Sequence, residues 1–333
     1  MLSEAGHQVS GLDCGLYSGC TIGPEPIAVP SLTFDIRDVT PDHLAGFDAV
    51  CHLAAISNDP VGDLNPETTY DINFRASVAL AAAARSAGVQ RFLFSSSCSL
   101  YGAAGDQPLD ENADFNPVTP YGESKILAEQ EIAKLASENF CPVFLRNATA
   151  YGFSPRLRGD LVVNNLVGYA LTTGEVFLKS DGTPWRPLVH IEDISRAFLA
   201  ALEAPASVVH NRAFNVGLTS ENYRVREVAE IVQSVVAGSR IVLATSAGPD
   251  KRNYRVSCDR IARELPGFHP QWTVRRGVGE LYDAYRSFGL SLEDLTGSRL
   301  QRIARVMELQ ARGEIDGSLR RSVAPKPAEA FLV

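Results

Sequence analysis

The run Thr119-Pro120-Tyr121-Gly122-Glu123-Ser124-Lys125 sets a phenol and an amine four residues apart. Pro120 suits the first turn of a helix and Thr119 its N-cap, so Tyr121 and Lys125 fall on one helical face. A free phenol, with a pKa of about 10, is a poor base at neutral pH. A nearby ammonium favours the phenolate, and a phenol tuned in this way can take a proton from a hydroxyl as hydride leaves the same carbon. A Tyr/Lys pair on the solvent face of an amphipathic helix has the same spacing, so the two residues need support from elsewhere. Upstream, Phe92-Leu93-Phe94-Ser95-Ser96-Ser97-Cys98-Ser99-Leu100-Tyr101-Gly102 reads as an apolar strand running into a hydroxyl-rich end. Ligands of open α/β sheets bind beyond the carboxyl ends of the strands, where such hydroxyls reach a reacting oxygen. A serine-rich loop capping its own backbone is the alternative.

The elements that would carry these residues alternate. Short apolar runs at Gln8–Leu12, Ala49–Leu53, Arg91–Phe94 and Val143–Leu145 are separated by helical stretches at Phe74–Ala87, stopped by Gly88, and Tyr121–Ala136. Strands alternating with helices imply right-handed crossovers and a mainly parallel sheet. The Ala-rich segment Leu80–Ala84 suits close packing of a helix on that sheet, or reflects helix propensity alone. From about Tyr151 Gly and Pro become frequent, which marks a second, smaller lobe. Ser298 to about Leu319 is charged and helical in pattern, and Ser322–Glu329 reads as a frayed tail. The expected division is a dinucleotide-binding domain over 1–150, a substrate lobe over 151–295 interleaved with it, and a terminal helix and tail over 296–333.

With 333 residues, 45% hydrophobic and 21% charged, the chain has the composition of an ordinary globule. A formal charge of -8 excludes the basic face of a general nucleic-acid binder, and any phosphate-bearing ligand needs local cations set against the overall field. No apolar run approaches the roughly 20 residues that cross a bilayer, and the start is polar and acidic after Met1 and Leu2, unlike a signal peptide. The six cysteines (Cys14, Cys20, Cys51, Cys98, Cys141, Cys258) are scattered, with no Cys-x-x-Cys pair and no zinc spacing. These features point to a cytoplasmic protein with no metal and no membrane contact.

The run Ser95-Ser96-Ser97 with Tyr101-Gly102, followed by Pro120-Tyr121-Gly122 and Ser124-Lys125, resembles the extended short-chain dehydrogenase/reductases, most closely their UDP-galactose 4-epimerase and sugar-nucleotide dehydratase branch. The similarity covers nearly all of residues 2–290. It includes His52-Leu53-Ala54-Ala55, Arg146 with Tyr151-Gly152, Trp185 through Asp193, and Phe214-Asn215-Val216-Gly217. It implies an α/β fold with a Rossmann-type doubly wound parallel sheet and a smaller C-terminal substrate lobe. It implies that Tyr121 and Ser97 share the substrate oxygen while Lys125 holds the nicotinamide ribose and lowers the tyrosine pKa. Asp13 matches the acid on the adenosine ribose, which favours NAD over NADP. Asp35 and Ile36 match the adenine edge, and Leu53, Ala54 and Ala55 the turn beside the cofactor phosphates. On the side of a nucleotide-diphosphate sugar, Asn165 and Leu166 match a diphosphate grip. Arg186 matches a phosphate and ribose contact, although a surface salt bridge is its plainer role, and Asp250 matches a late ribose-binding acid. The resemblance also implies a homodimer through the Tyr/Lys helix.

The chain departs from that pattern in four places. Leu2–Gly6 reads as the end of the first family helix and Val9–Asp13 as the next strand, so the first strand and its Gly-rich loop are expected to be missing, with the natural protein extending about 25–30 residues upstream. Cys98 and Ser99 stand where 4,6-dehydratases carry acids, which disfavours that elimination; Cys98 is read as structural and Ser99 as facing the substrate. Thr149 replaces the usual substrate-side Asn, and Ala247 an expected arginine for which Arg252 or Arg255 could substitute. The expected activity is NAD-dependent epimerisation of a nucleotide-activated sugar at C4 through a 4-keto intermediate. A 4-keto reductase or dehydratase is the alternative enzyme, and a silent truncated scaffold the alternative of another class.

Overall fold

The computed structural model describes residues 1–25, 27–245 and 252–322. In chain order the strands are β1 (Gly11–Asp13), β2 (Ser31–Thr33), β3 (Ala49–His52), β4 (Arg91–Ser97), β5 (Ala103–Leu109), β6 (Cys141–Asn147), β7 (Thr149–Tyr151), β8 (Glu175–Leu178), β9 (Trp185–His190), β10 (Arg212–Val216), β11 (Asn222–Arg224), β12 (Arg240–Leu243) and β13 (Asn253–Val256). The helices are α1 (Asp59–Leu64), α2 (Pro66–Tyr70), α3 (Ser77–Ser86), α4 (Pro120–Ala133), α5 (Val162–Thr173), α6 (Ile191–Glu203), α7 (Ala206–Val209), α8 (Val225–Val235), α9 (Asp259–Glu264), α10 (Val274–Ser287), α11 (Leu292–Thr296) and α12 (Arg302–Ala311). The largest sheet runs β10-β6-β4-β3 with every neighbour parallel, and β1 and β2 form a separate parallel pair. Smaller sheets join β11-β9-β7, β12-β8 and β13-β5.

Both faces of the parallel sheet are covered, as its apolar strands require. Along β4 the side chains alternate. Phe92 and Phe94 pack with Leu80, Ala81, Ala84, Ala128 and Ile132 of α3 and α4 on one face. Leu93 packs with Ala197, Phe198 and Ala201 of α6 on the other. Ala81 and Ala84 are fully buried, so the Ala-rich segment does bring α3 close to the sheet. A second core, including Leu166, Val167, Leu188, Val228 and Leu281, lies among α5, α8, α10 and β9.

The element boundaries moved for local reasons. The serines extend β4 to Ser97 because β6 pairs with it to the end, Ser97 opposite Asn147. The helix expected from Phe74 begins with a π-helical turn, Asp71–Ala76, before α3, and Gly88 caps its end at φ +85°. Only Arg302–Ala311 of the charged terminal segment is helical. Gly313 turns the chain at φ +68°, and Ile315 bridges back to Arg321. Beyond Ser322 the expected tail lies outside the described residues. Among the described residues no helix is long and apolar enough to cross a membrane. All six cysteines are free.

A buried ion pair ties α4 to the sheet. Arg146 of β6 sits 2.7 Å from Glu129 of α4, each side chain 7% exposed. Arg146 also donates to Tyr101 Oη at 3.2 Å and to the Glu111 carbonyl at 3.0 Å, while Ser96 donates to Glu129. Removing one partner of such a pair leaves a buried charge uncompensated. Glu129→Ala is therefore expected to lower the unfolding free energy by about 3–5 kcal/mol in urea denaturation.

Candidate active site

The helix that carries Tyr121 begins where the sequence places it. Thr119 accepts a hydrogen bond from Gly122 N at 3.3 Å, and Pro120 opens α4. A Cβ at Gly122 would lie 3.0 Å from the Ser99 carbonyl, so the missing side chain lets the first turn of α4 close on the end of β4. After Tyr101 the chain reverses at Gly102, φ +57°, where a Cβ would collide with the Asn116 carbonyl. These two contacts deliver Ser97 and Tyr121 to one place.

Tyr121 and Ser97 lie close enough for the hydroxyl to act on the phenol. Burial raises the phenol above its ordinary pKa, against the pull of Ser97 and of the Arg158 guanidinium. Ser97 Oγ also accepts from Ser99 N at 3.2 Å, which fixes its rotamer. Lys125 is 2% exposed. Its Nζ donates to the Ser95 carbonyl at 2.8 Å and lies 4.6 Å from the Phe94 ring centroid and 5.9 Å from that of Tyr121. Burial pushes the amine down to about 7, opposed by Glu129 one turn on. Burial likewise pushes His52, at the end of β3, to about 3, with Lys125 adding to the effect. Ser77 gives its proton to the Asn73 carbonyl, so His52 Nε2 donates to Ser77 Oγ at 2.7 Å.

The residues expected at a dinucleotide lie on the carboxyl ends of β1, β2 and β3. Asp13 ends β1 with its side chain exposed and Oδ1 accepting from Gly15 N at 2.6 Å. Asp35 caps the turn that starts at Ile36, and Arg37 engages both its oxygens, at 2.9 and 2.6 Å. Leu53 is 62% exposed, an apolar side chain presented outward by the turn Leu53-Ala54-Ala55. Among the described residues, Ser99 Oγ and Asn147 Oδ1 are buried without a hydrogen-bond partner. An exposed carboxylate, an outward apolar turn and two unpaired buried oxygens are a donor and contact set that fits a dinucleotide and a polar substrate.

On the substrate side the side chains are largely anchored. Asn165 donates to the Gly159 carbonyl at 2.8 Å, and Leu166 is buried in the second core. Arg186, buried on β9, donates to the Trp185 carbonyl at 2.7 Å and to that of Arg252. Thr149 is half-buried on β7, opposite Leu188. Asp250 and Ala247 lie outside the described residues. Of the two arginines offered as substitutes, Arg252 pairs with Asp59 at 2.6 Å, and Arg255 stacks on Trp185 at 4.5 Å. Cys98 is fully buried, burial holds its thiol well above the usual range, and Sγ donates to the Arg146 carbonyl at 3.1 Å, as expected of a structural residue.

Two positioning residues were missed. Asn73 accepts from Ile56 N at 2.7 Å and donates to Ile56 O at 2.9 Å, clamping the turn after β3, and reaches Ser124 of α4 at 3.3 Å. Asn147, opposite Ser97, donates to Ser95 Oγ at 3.0 Å. A lone polar residue ahead of an Ala-rich helix was the only signal for the first. An asparagine following the strand's arginine was the only one for the second.

Residues 1–217 match the model of the NAD-dependent epimerase/dehydratase family. The UDP-glucose 4-epimerase of Streptomyces lividans is 30% identical over 316 residues, which span 88% of this chain and 93% of that protein. Among solved structures, the UDP-glucose 4-epimerase of Thermotoga maritima with UDP-glucose superposes with a TM-score of 0.75 at 24% identity, covering 86% of this chain and 93% of that one. An NAD-dependent NDP-hexosamine 5,6-dehydratase of tunicamycin biosynthesis also gives 0.75, at 22% identity, covering 86% and 92%. With a parallel sheet flanked by helices, a tyrosine-lysine helix docked on a serine-ended strand, and a family match over well more than half its length, the chain belongs to the NAD-dependent epimerase/dehydratase family and is an NAD-dependent enzyme of that family.

Proposed function

We propose that the protein inverts a nucleotide-diphosphate sugar at C4 through a transient 4-keto sugar. The carrying observation is the Ser97 hydroxyl at the end of β4 set against the Tyr121 phenol at the start of α4, with Cys98 and Ser99 rather than carboxylic acids beside it. The names of relatives such as the Streptomyces lividans enzyme support the same reading. NAD, when bound, would supply a reversible hydride acceptor. Tyr121 takes the proton of the C4 hydroxyl and later returns it, Ser97 steadies the same oxygen, and Lys125 holds the nicotinamide ribose. Asp13 would hold the adenosine ribose, Asp35 and Ile36 the adenine edge, and Leu53–Ala55 the phosphates. Ser99, Thr149, Asn165, Leu166, Arg186 and Asp250 would bind the nucleotide sugar. A cytoplasmic homodimer, with a cofactor domain to about residue 150 and a substrate lobe to about 295, belongs to the same reading.

Incubated with UDP-glucose and followed by NMR, the protein is expected to form the C4-inverted sugar with no net NADH; a reduced or dehydrated product sinks the proposal. Tyr121→Phe should lower turnover by about 10²–10⁴-fold while substrate still binds. Lys125 gives a separate check on its burial. Its folded pKa of about 7 lies below its ordinary 10.5, so the folded chain holds fewer protons between those values and stability rises with pH across that window. Urea denaturation from about pH 7 to 10 should show this rise, at most about 1.4 kcal/mol per pH unit, and Lys125→Met should flatten it.

A further inference from the structure

Arg302, the first residue of α12, is 8% exposed. Its guanidinium lies 4.1 Å from the centre of the Tyr17 ring, and Nη2 donates to the Arg156 carbonyl at 3.2 Å. Among the described residues no carboxylate forms an ion pair with it. Arg158, its side chain 20% exposed, stands two residues beyond the Arg156 whose carbonyl Arg302 holds. Asp160 holds its Nε at 2.9 Å and its Nη2 at 3.0 Å, while Nη1 donates to Ser57 O and Oγ, each at 3.0 Å. Asp160 also accepts from Asn58. Among the described residues this cluster thus contains two guanidiniums and one carboxylate. An unbalanced buried charge is costly, and the cost is offset where an anion arrives.

The position of the cluster narrows the choice of anion. Tyr17 lies four residues beyond Asp13 on the loop leaving β1, and Ser57 two beyond Ala55 on the loop leaving β3. The turn Leu53-Ala54-Ala55 carries no cation, and a chain of net charge -8 offers no general attraction to a dianion. The terminal segment is fastened to the β1 loop. Arg321 donates to the Cys14 and Gly15 carbonyls at 3.0 and 2.6 Å, and Arg305 to that of Leu16 at 3.3 Å. Leu16, Ile56, Val306 and Leu309 pack in one cluster beneath.

We propose that Arg302 and Arg158 are a diphosphate-binding pair for the dinucleotide, and that α12 thereby completes the cofactor site. The proposal rests on the assignment of Asp13 and Leu53–Ala55 to the cofactor. Asp160 and Ser57 orient Arg158, and Arg302, with Nε and Nη1 unengaged by protein groups among the described residues, supplies a fork suited to phosphate oxygens.

The test measures binding of ADP-ribose, adenosine and UDP to the full-length protein purified from its natural host and to its variants, by calorimetry and ligand-observed NMR. Arg302→Met is expected to weaken ADP-ribose by about tenfold or more, the worth of a charged hydrogen bond, and to leave adenosine and UDP within about twofold. Arg302→Lys, which keeps the charge and loses the fork, should fall between and serves if the Met variant does not fold. Asp13→Asn should weaken adenosine and ADP-ribose alike. Unchanged ADP-ribose affinity in both Arg302 variants, with the Asp13 effect present, overturns the pair alone. A loss confined to UDP, or an equal loss of adenosine and ADP-ribose in Arg302→Met, overturns it as well. No effect of Asp13→Asn overturns the placement of the cofactor and the inference with it.

Discussion

Everything at the catalytic end of the sheet depends on how α4 is rotated against β4 and β6, and one buried charge pair sets that rotation. Arg146 reaches across from β6 to Glu129, and Glu129 is bound in turn by Ser96. Glu129 stands one helical turn beyond Lys125 and two beyond Tyr121, and Ser96 precedes Ser97. Fixing Glu129 against Ser96 therefore brings the phenol over the neighbouring hydroxyl. Such pairs contribute little to stability relative to an apolar replacement, but their directional bonds admit one arrangement of the elements they join. Tyr101 and Asn215 extend the same network, Tyr101 donating to Asn215 Oδ1 at 2.9 Å.

Burial drives the two side chains apart in proton affinity. The phenol moves up from 10.0 and the amine down from 10.5 to about 7, because a low-dielectric setting disfavours charge on either. A neutral phenol and a poorly held ammonium are a pair whose protonation responds to any charge brought beside it. The cations nearest in effect to Tyr121 include Arg158, which belongs to the loop between β7 and α5 rather than to α4. The sequence reading gave the whole tuning role to Lys125. In the folded chain the groups that oppose burial at the phenol include the Ser97 hydroxyl from earlier in the chain and the Arg158 guanidinium from later in it.

Much of this was legible beforehand because the signals were local. Pro120 and Thr119 mark the start of α4, and the apolar run before three serines marks β4. Asp13 falls at a strand end because strand spacing puts it there. What escaped was set by tertiary contact. Asn73 acts through a clamp on a turn 17 residues away. The serines looked like a loop until β6 paired with them. The terminal segment, read as one long helix, is broken by Gly313 and folds back so that its arginines meet the β1 loop. Charge pattern revealed a helix there but not which surface it would cover. Leu166, matched to a diphosphate grip by the resemblance, has its side chain in the second core, a packing that no local pattern announced.

The thiols carry one more implication. Burial raises the pKa of Cys14, Cys20, Cys51, Cys98, Cys141 and Cys258, and in each of them desolvation is the leading cause. Alkylating agents and peroxides attack the thiolate, so at neutral pH these sulfurs present little reactive form to either. Maleimide labelling or a covalent inhibitor would need a newly introduced cysteine, and an accessible one placed on the outer face of α8 would stand almost alone in its reactivity.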